Sequence, residues 1–286
     1  MTELADRSEL SESSELSDRF EPVDRADRWS IDIIRTAEPA GFVLFEEVDM
    51  TATKEIIARF RACSERVTYT HVITRAAAVA LARHPELVRV LLGKKTLAYP
   101  GTIDISMSVS SELALSAEPT LVVPDAAAKD IVQIAAEITS KAAQVRADFP
   151  ADRERSRKFV KMVPFAFLRR FLIQKMKARI SMVHDKIGVF HITNGIGFWI
   201  AAPLIVPGCA ALSINRVEDA ARVRNGEVVV LPTARIGLVC DHRVWKGTEA
   251  TVFISEIKKI LENGELAAEV SAYETNGRPL ATGRQA

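Results

Sequence analysis

The stretch Arg235-Ile-Gly-Leu-Val-Cys-Asp241-His242-Arg243-Val244-Trp245-Lys246-Gly247 decides how the rest of the chain is read. Its apolar run breaks abruptly into Asp-His-Arg, as a buried strand does when it delivers charged side chains at its end, and strand ends are where open α/β sheets build sites. After Gly247 the apolar residues Val252, Phe253, Ile257, Ile260 and Leu261 recur at helical spacing. His242 is therefore expected on a strand-to-helix corner.

Working outward, Val223-Arg-Asn225-Gly226-Glu-Val-Val-Val-Leu reads as a hairpin, because Asn-Gly tolerates the positive φ angles of a type I′ turn, and it feeds the strand that ends at His242. Further back, Gly188-Val-Phe-His-Ile-Thr193-Asn194-Gly195-Ile-Gly197 is an apolar strand ending in a hydroxyl and a glycine turn. Behind it come Pro203-Leu-Ile-Val-Pro207 and the apolar run Cys209-Ala-Ala-Leu-Ser-Ile. Taken alone, Thr193 is a strand-end hydroxyl that satisfies a turn.

Taken together and in this order, the two strings resemble the catalytic domain of dihydrolipoamide acyltransferases, the core subunits of 2-oxoacid dehydrogenase complexes, whose fold chloramphenicol acetyltransferase shares. The resemblance covers roughly residues 40 to 265. It implies an α/β two-layer sandwich with a mixed β-sheet. It assigns His242 as general base and Thr193 as hydrogen-bond donor to the tetrahedral oxyanion, with Asp241, Asn194 and Lys246 in support. Acetyl-CoA or another acyl-CoA is the implied cosubstrate, with no permanently bound cofactor and no metal. Family sites lie between neighbouring subunits, which implies a homotrimer. Lys246 is a departure: the family has an aspartate there, which pairs with an arginine and orders the histidine corner. A cation at that corner needs an acidic partner or a place facing the coenzyme A phosphates, because an unpaired buried ammonium is costly.

Such acyltransferases normally carry a lipoyl domain and a subunit-binding domain ahead of the core, and the residues before position 40 leave room for neither. The expectation is a freestanding core resembling the enzymes that acetylate tetronate intermediates beside polyketide synthases, with a small-molecule acceptor. Acyl transfer to dihydrolipoamide and a non-catalytic trimeric scaffold are the alternatives.

Composition agrees with a globular core: 286 residues, 48% hydrophobic and 26% charged, are enough for one large α/β domain or two small ones. A formal net charge of +1 gives no global reason to expect nucleic acid. The start lacks the basic and apolar regions of a signal peptide, and the expected location is the cytoplasm. Cys63, Cys209 and Cys240 are too few and too widely spaced for a disulfide framework or a zinc site. Cys240 reads as core despite its nearness to His242.

Residues 1–25 read as a flexible acidic arm, 26–266 as the catalytic domain and 267–286 as a flexible tail. Within the domain, Gly41 begins a strand, with Thr51 or Thr53 capping a helix to about Cys63; Thr70 to His84 is a helix stopped by Pro85. His71 is expected at its surface and His84 in its last turn. Ile103–Ser110 and Leu121-Val-Val-Pro are neighbouring strands, followed by an amphipathic helix from about Lys129 to Ala147. From Arg153 to Arg179 ten Lys or Arg face a single acid, interleaved with Phe159, Phe165, Phe167 and Phe171. This segment can cover a hydrophobic face, contact coenzyme A phosphates or lie on an anionic membrane; plain packing is the preferred reading and membrane contact the least favoured.

Overall fold

In the computed structural model, which describes residues 24–36, 41–93, 95–112, 118–195, 197–203 and 208–276, the chain begins with helix α1 (Arg25–Arg35) and strand β1 (Phe42–Asp49). Helices α2 (Thr51–Ala62) and α3 (Tyr69–Arg83) follow, then the small hairpin β2 (Val90–Leu92) and β3 (Thr96–Ala98). Strands β4 (Ile105–Ser108) and β5 (Thr120–Val123) precede the long helix α4 (Ile131–Met162), α5 (Ala166–Lys177) and the single turn α6 (Ile180–Met182). The chain then runs through β6 (Phe190–Gly195), β7 (Ala210–Arg224), β8 (Glu227–Cys240), α7 (Gly247–Glu262) and α8 (Ala267–Asn276).

Six strands form one sheet in the order β1-β8-β7-β6-β4-β5. The pairs β4/β6 and β6/β7 are parallel and the others antiparallel, so the sheet is mixed, as expected. The β7–β8 hairpin turns at Asn225 and Gly226, whose φ angles of 52° and 84° are the left-handed values that the Asn-Gly pair tolerates. Helices α2, α3, α4 and α7 cover one face. There Phe190, Ile192, Leu212, Ile214, Ile236 and Leu238 meet Ile73, Leu81, Ile134 and Phe253 in a single core.

Several expectations change. The helix expected to end near Ala147 continues to Met162 with Pro150 inside it. Its second half is held by α1: the Trp29 and Phe159 rings meet edge to face at 5.0 Å, and Arg157 pairs with Asp24 at 3.0 Å. The expected tail from residue 267 is helical as far as Asn276, because Val270 is fully buried and Glu269 binds Arg75 at 2.7 Å; residues 277–286 lie outside the described ones. Of the expected arm, residues 1–23 also lie outside them. Neither Thr51 nor Thr53 caps α2: its N-cap is Met50, without a side-chain bond, and Asp49 just before it accepts the N–H (2.9 Å) and the hydroxyl (2.6 Å) of Thr51 through Oδ1. His71 is buried rather than at the surface, since its ring folds back to accept the Thr68 N–H at 3.3 Å and closes the first turn of α3.

In the basic segment, the buried Arg169 guanidinium donates to the buried Asp32 of α1 at 2.6 Å and to the carbonyls of Val163 and Pro164 at 2.8 and 2.7 Å. Arg170 reaches the other Asp32 oxygen at 3.1 Å. Lys177 donates to Thr36 Oγ1 at 3.1 Å. Part of the positive charge thus fastens α5 to α1, as the packing reading holds.

Candidate active site

Alternation along the strands gives the sheet a second face unlike the first. Opposite the helices it carries Ser106 and Ser108 of β4, His191 and Thr193 of β6, and Ser213 and Asn215 of β7. His191 is occupied at both nitrogens. The Ser106 hydroxyl donates to the Ile187 carbonyl, so it accepts Nδ1–H of His191 at 2.8 Å, and the Ser108 hydroxyl donates to Nε2 at 3.1 Å. Burial pushes the His191 imidazole down to about 4, leaving it neutral and structural near pH 7.

Thr193, two residues along the same face, is half-buried, and its hydroxyl has no hydrogen-bond partner among the described residues. It is available to an incoming group. Asn194 is exposed beside it, paired in register with Ile214. The segment that follows is tied down from β7. Ser213 donates its hydroxyl proton to the Ala201 carbonyl; Asn215 accepts the Ala201 N–H at 2.9 Å and donates to the Arg235 carbonyl at 2.8 Å.

At the end of β8 the chain turns sharply, with Val244 and Trp245 donating their N–H groups to the Asp241 carbonyl at 2.8 and 2.9 Å. This turn holds His242 exposed at its apex. The imidazole Nδ1 lies 3.0 Å from the Trp245 carbonyl, and a carbonyl can only accept, so Nδ1 carries the proton and Nε2 a free lone pair. That is the tautomer a general base needs. Trp245 is rigid: it is fully buried, donates Nε1–H to the Leu87 carbonyl at 3.0 Å, and packs against Phe190 and Phe253.

Asp241 makes its hydrogen bonds to Arg243 rather than to the imidazole, accepting the backbone N–H at 3.0 Å and the guanidinium at 2.9 and 2.7 Å. Burial raises its carboxyl above the usual value against those bonds. Lys246 is exposed at the N-cap of α7. Its backbone N–H donates to Glu249 at 2.8 Å, and the same oxygen of Glu249 accepts from Arg89 at 2.6 Å. The Glu249 carboxyl is held below its usual value despite burial, through these bonds and the charges of Arg89 and Lys246. Arg89 also clasps the Val244 carbonyl at 2.9 and 2.7 Å. An arginine–carboxylate tie thus orders the histidine corner, with the carboxylate one helical turn beyond position 246. Arg89 bears no local signal in the sequence, being a lone arginine after a short turn.

Cys209 and Cys240 are fully buried; Cys240 is pushed up to about 12, chiefly by desolvation, which suits core packing and not nucleophilic chemistry.

Thr193 and His242 do not meet within one chain. Phe190, Ala210 and Cys240 stand in one row across β6, β7 and β8. Thr193 lies three residues from that row in one direction and His242 two in the other, because β8 runs opposite to β6. Strand geometry then separates them by roughly 16 Å along the strands and about 10 Å across them.

The sequence matches the model for the catalytic domain of 2-oxoacid dehydrogenase acyltransferases over residues 34–154 and 170–268. The chain belongs to this acyltransferase family. Among curated relatives it is 25% identical to the dihydrolipoyllysine-residue succinyltransferase component of the 2-oxoglutarate dehydrogenase complex of Azotobacter vinelandii, over 78% of this chain and 50% of that protein. The Escherichia coli K12 component is 37% identical over 27% of this chain and 20% of its own length. The acyltransferase chain thus spans about half the length of the first of these relatives and less of the second. Among solved structures, the dihydrolipoamide acetyltransferase of Azotobacter vinelandii aligns with a TM-score of 0.65 at 15% identity, covering 88% of this chain and 94% of that one. A truncated catalytic core from Thermoplasma acidophilum gives 0.62 at 24% identity, covering 86% and 99%. These likenesses establish the fold expected from the sequence.

Proposed function

We propose that this acyltransferase moves an acyl group between coenzyme A and a dihydrolipoyl thiol, with His242 as base and Thr193 of a neighbouring subunit as oxyanion donor. The observation that carries the reading is the Nδ1–H bond of His242 to the Trp245 carbonyl, which leaves Nε2 bare at an exposed corner. Nε2 takes the proton of the attacking thiol. The thiolate adds to the thioester carbonyl, the Thr193 hydroxyl donates to the resulting oxyanion, and the tetrahedral species collapses as the leaving thiolate recovers the proton from the imidazolium. No covalent enzyme intermediate is needed.

The wide separation of Thr193 and His242 within one chain supports a site completed by a second subunit, and with it the homotrimer that the family resemblance implies. The Azotobacter vinelandii acetyltransferase has been studied for the catalytic roles of a serine, a histidine and an asparagine, the last two four positions apart. His242 and Lys246 have the same spacing, so a non-acidic residue at the position of Lys246 is compatible with such a site.

The names of the curated relatives favour dihydrolipoyllysine as acceptor over the tetronate expected from the sequence. The deciding experiment incubates the protein with acetyl-CoA or succinyl-CoA and dihydrolipoamide, with a hydroxymethyl tetronate in parallel, and reads products by mass spectrometry. S-acyl dihydrolipoamide that disappears in His242→Ala supports the proposal; O-acyl tetronate alone overturns its acceptor, and no product from either acceptor overturns the catalytic reading.

A further inference from the structure

We infer that the basic, aromatic face formed by the end of α4 and by α5 docks onto an anionic lipid bilayer. Buried Arg169 and Ile173 hold α5 against α1. Phe167 and Phe171 stand two positions from those residues, about 200° around the helix, and point away from the protein. They are 71% and 53% exposed, and Phe165 and Met162 just before them are 62% and 76% exposed. Aromatic side chains left this bare in one short stretch mark an interaction surface.

Charge identifies the occupant. No Asp or Glu occurs between Arg155 and His184. The last turns of α4 and the start of α1 line a cleft of about 620 Å³ that carries Arg25, Arg28, Arg157, Lys158 and Lys161 against two carboxylates. Of these cations Arg25, Lys158 and Lys161 have no ion-pair partner among the described residues. Lys175 lies over the Phe171 ring, 5.6 Å from its centroid. A second copy docking through the same face in a two-fold contact would bring like charge against like, and a three-fold contact would need an acidic face to meet it. A bilayer with anionic headgroups offers phosphates to the cleft and an acyl boundary to the phenylalanines, as for helices that lie in a membrane interface. No helix among the described residues is long and apolar enough to cross a membrane, so the contact is peripheral. The stretch 155–169, which carries Lys158, Lys161, Phe165 and Phe167, is left unmatched by the family model, whereas Phe171 and Lys175 lie within the matched span.

The test is co-sedimentation of the full chain with phosphatidylcholine vesicles, with and without about 30 mol% phosphatidylglycerol. Binding is expected only to the anionic vesicles and is expected to weaken in high salt. Phe167→Ser/Phe171→Ser and Lys158→Ser/Lys161→Ser, all at exposed positions, should each weaken it at least about tenfold while circular dichroism stays unchanged. Absence of binding to anionic vesicles, or binding indifferent to both variants, overturns the inference. So does a phenylalanine variant that leaves vesicle binding intact but shrinks the assembly in sedimentation velocity, which would make the face a contact between copies.

Discussion

Gly41 lies against His242 so closely that a Cβ built on it would stand 2.2 Å from the histidine Cβ and 3.0 Å from its backbone nitrogen. The Gly41 N–H donates to the Cys240 carbonyl at 3.0 Å, and the Phe42 ring meets the imidazole edge to face at 4.9 Å. The start of β1 thus forms the wall behind the proposed base, and only glycine leaves room for it. Gly41→Ala should displace the imidazole and lower kcat about a hundredfold, the cost of misplacing a reacting group by about 1 Å. The thermal midpoint should fall only modestly. Unchanged kcat would show that the corner relaxes without moving Nε2.

His242→Ala should reduce turnover by roughly two to four orders of magnitude. Thr193→Ala should cost about a hundredfold, and Thr193→Ser should recover most of it. Mixing the two alanine variants under conditions of subunit exchange should restore part of the activity that neither has alone. Failure of every mixture to recover activity would argue against a shared site.

Glu249 already supplies the carboxylate for Arg89, so Lys246→Asp places a second acid beside it instead of restoring a missing pair. Turnover should fall or KM for acetyl-CoA should rise, and Arg89→Ala should be more harmful because the Val244 carbonyl loses its clasp. Steady-state kinetics with separate kcat and KM decide the matter; higher turnover with unchanged KM in Lys246→Asp would show that the lysine is an impairment.

Stability should fall on acidification between about pH 6.5 and pH 4. Burial lowers both His71 and His191 to about 4 from the ordinary 6.5, so the unfolded chain binds protons first. Their contribution is fully present above pH 6.5 and is lost as pH drops towards 4, on the order of 3 kcal/mol for each histidine. Urea midpoints across this range should show the slope, and His71→Gln together with His191→Gln should flatten it.

What the sequence revealed and what it hid have physical causes. The β8 corner, the Asn225-Gly226 hairpin and the β6 strand that carries Thr193 were legible because each is coded within a dozen residues by an apolar period and a turn. Gly41 and Arg89 were not. Their partners lie about 200 and 155 positions away in the chain, and such approaches leave no local pattern. The helix α4 was expected to end near Ala147, but contacts with α1 carry it on to Met162 across Pro150. His71 looked like a first-turn surface residue because nothing local shows that its ring returns to Thr68.

The distance between Thr193 and His242 in one chain also bears on inheritance. If each active centre draws one residue from each of two neighbours, then in a ring of three a single subunit without its base silences one centre and leaves two at work. A cell carrying one faulty and one sound gene copy would keep a graded fraction of its activity, and two different lesions, one at each residue, could complement each other.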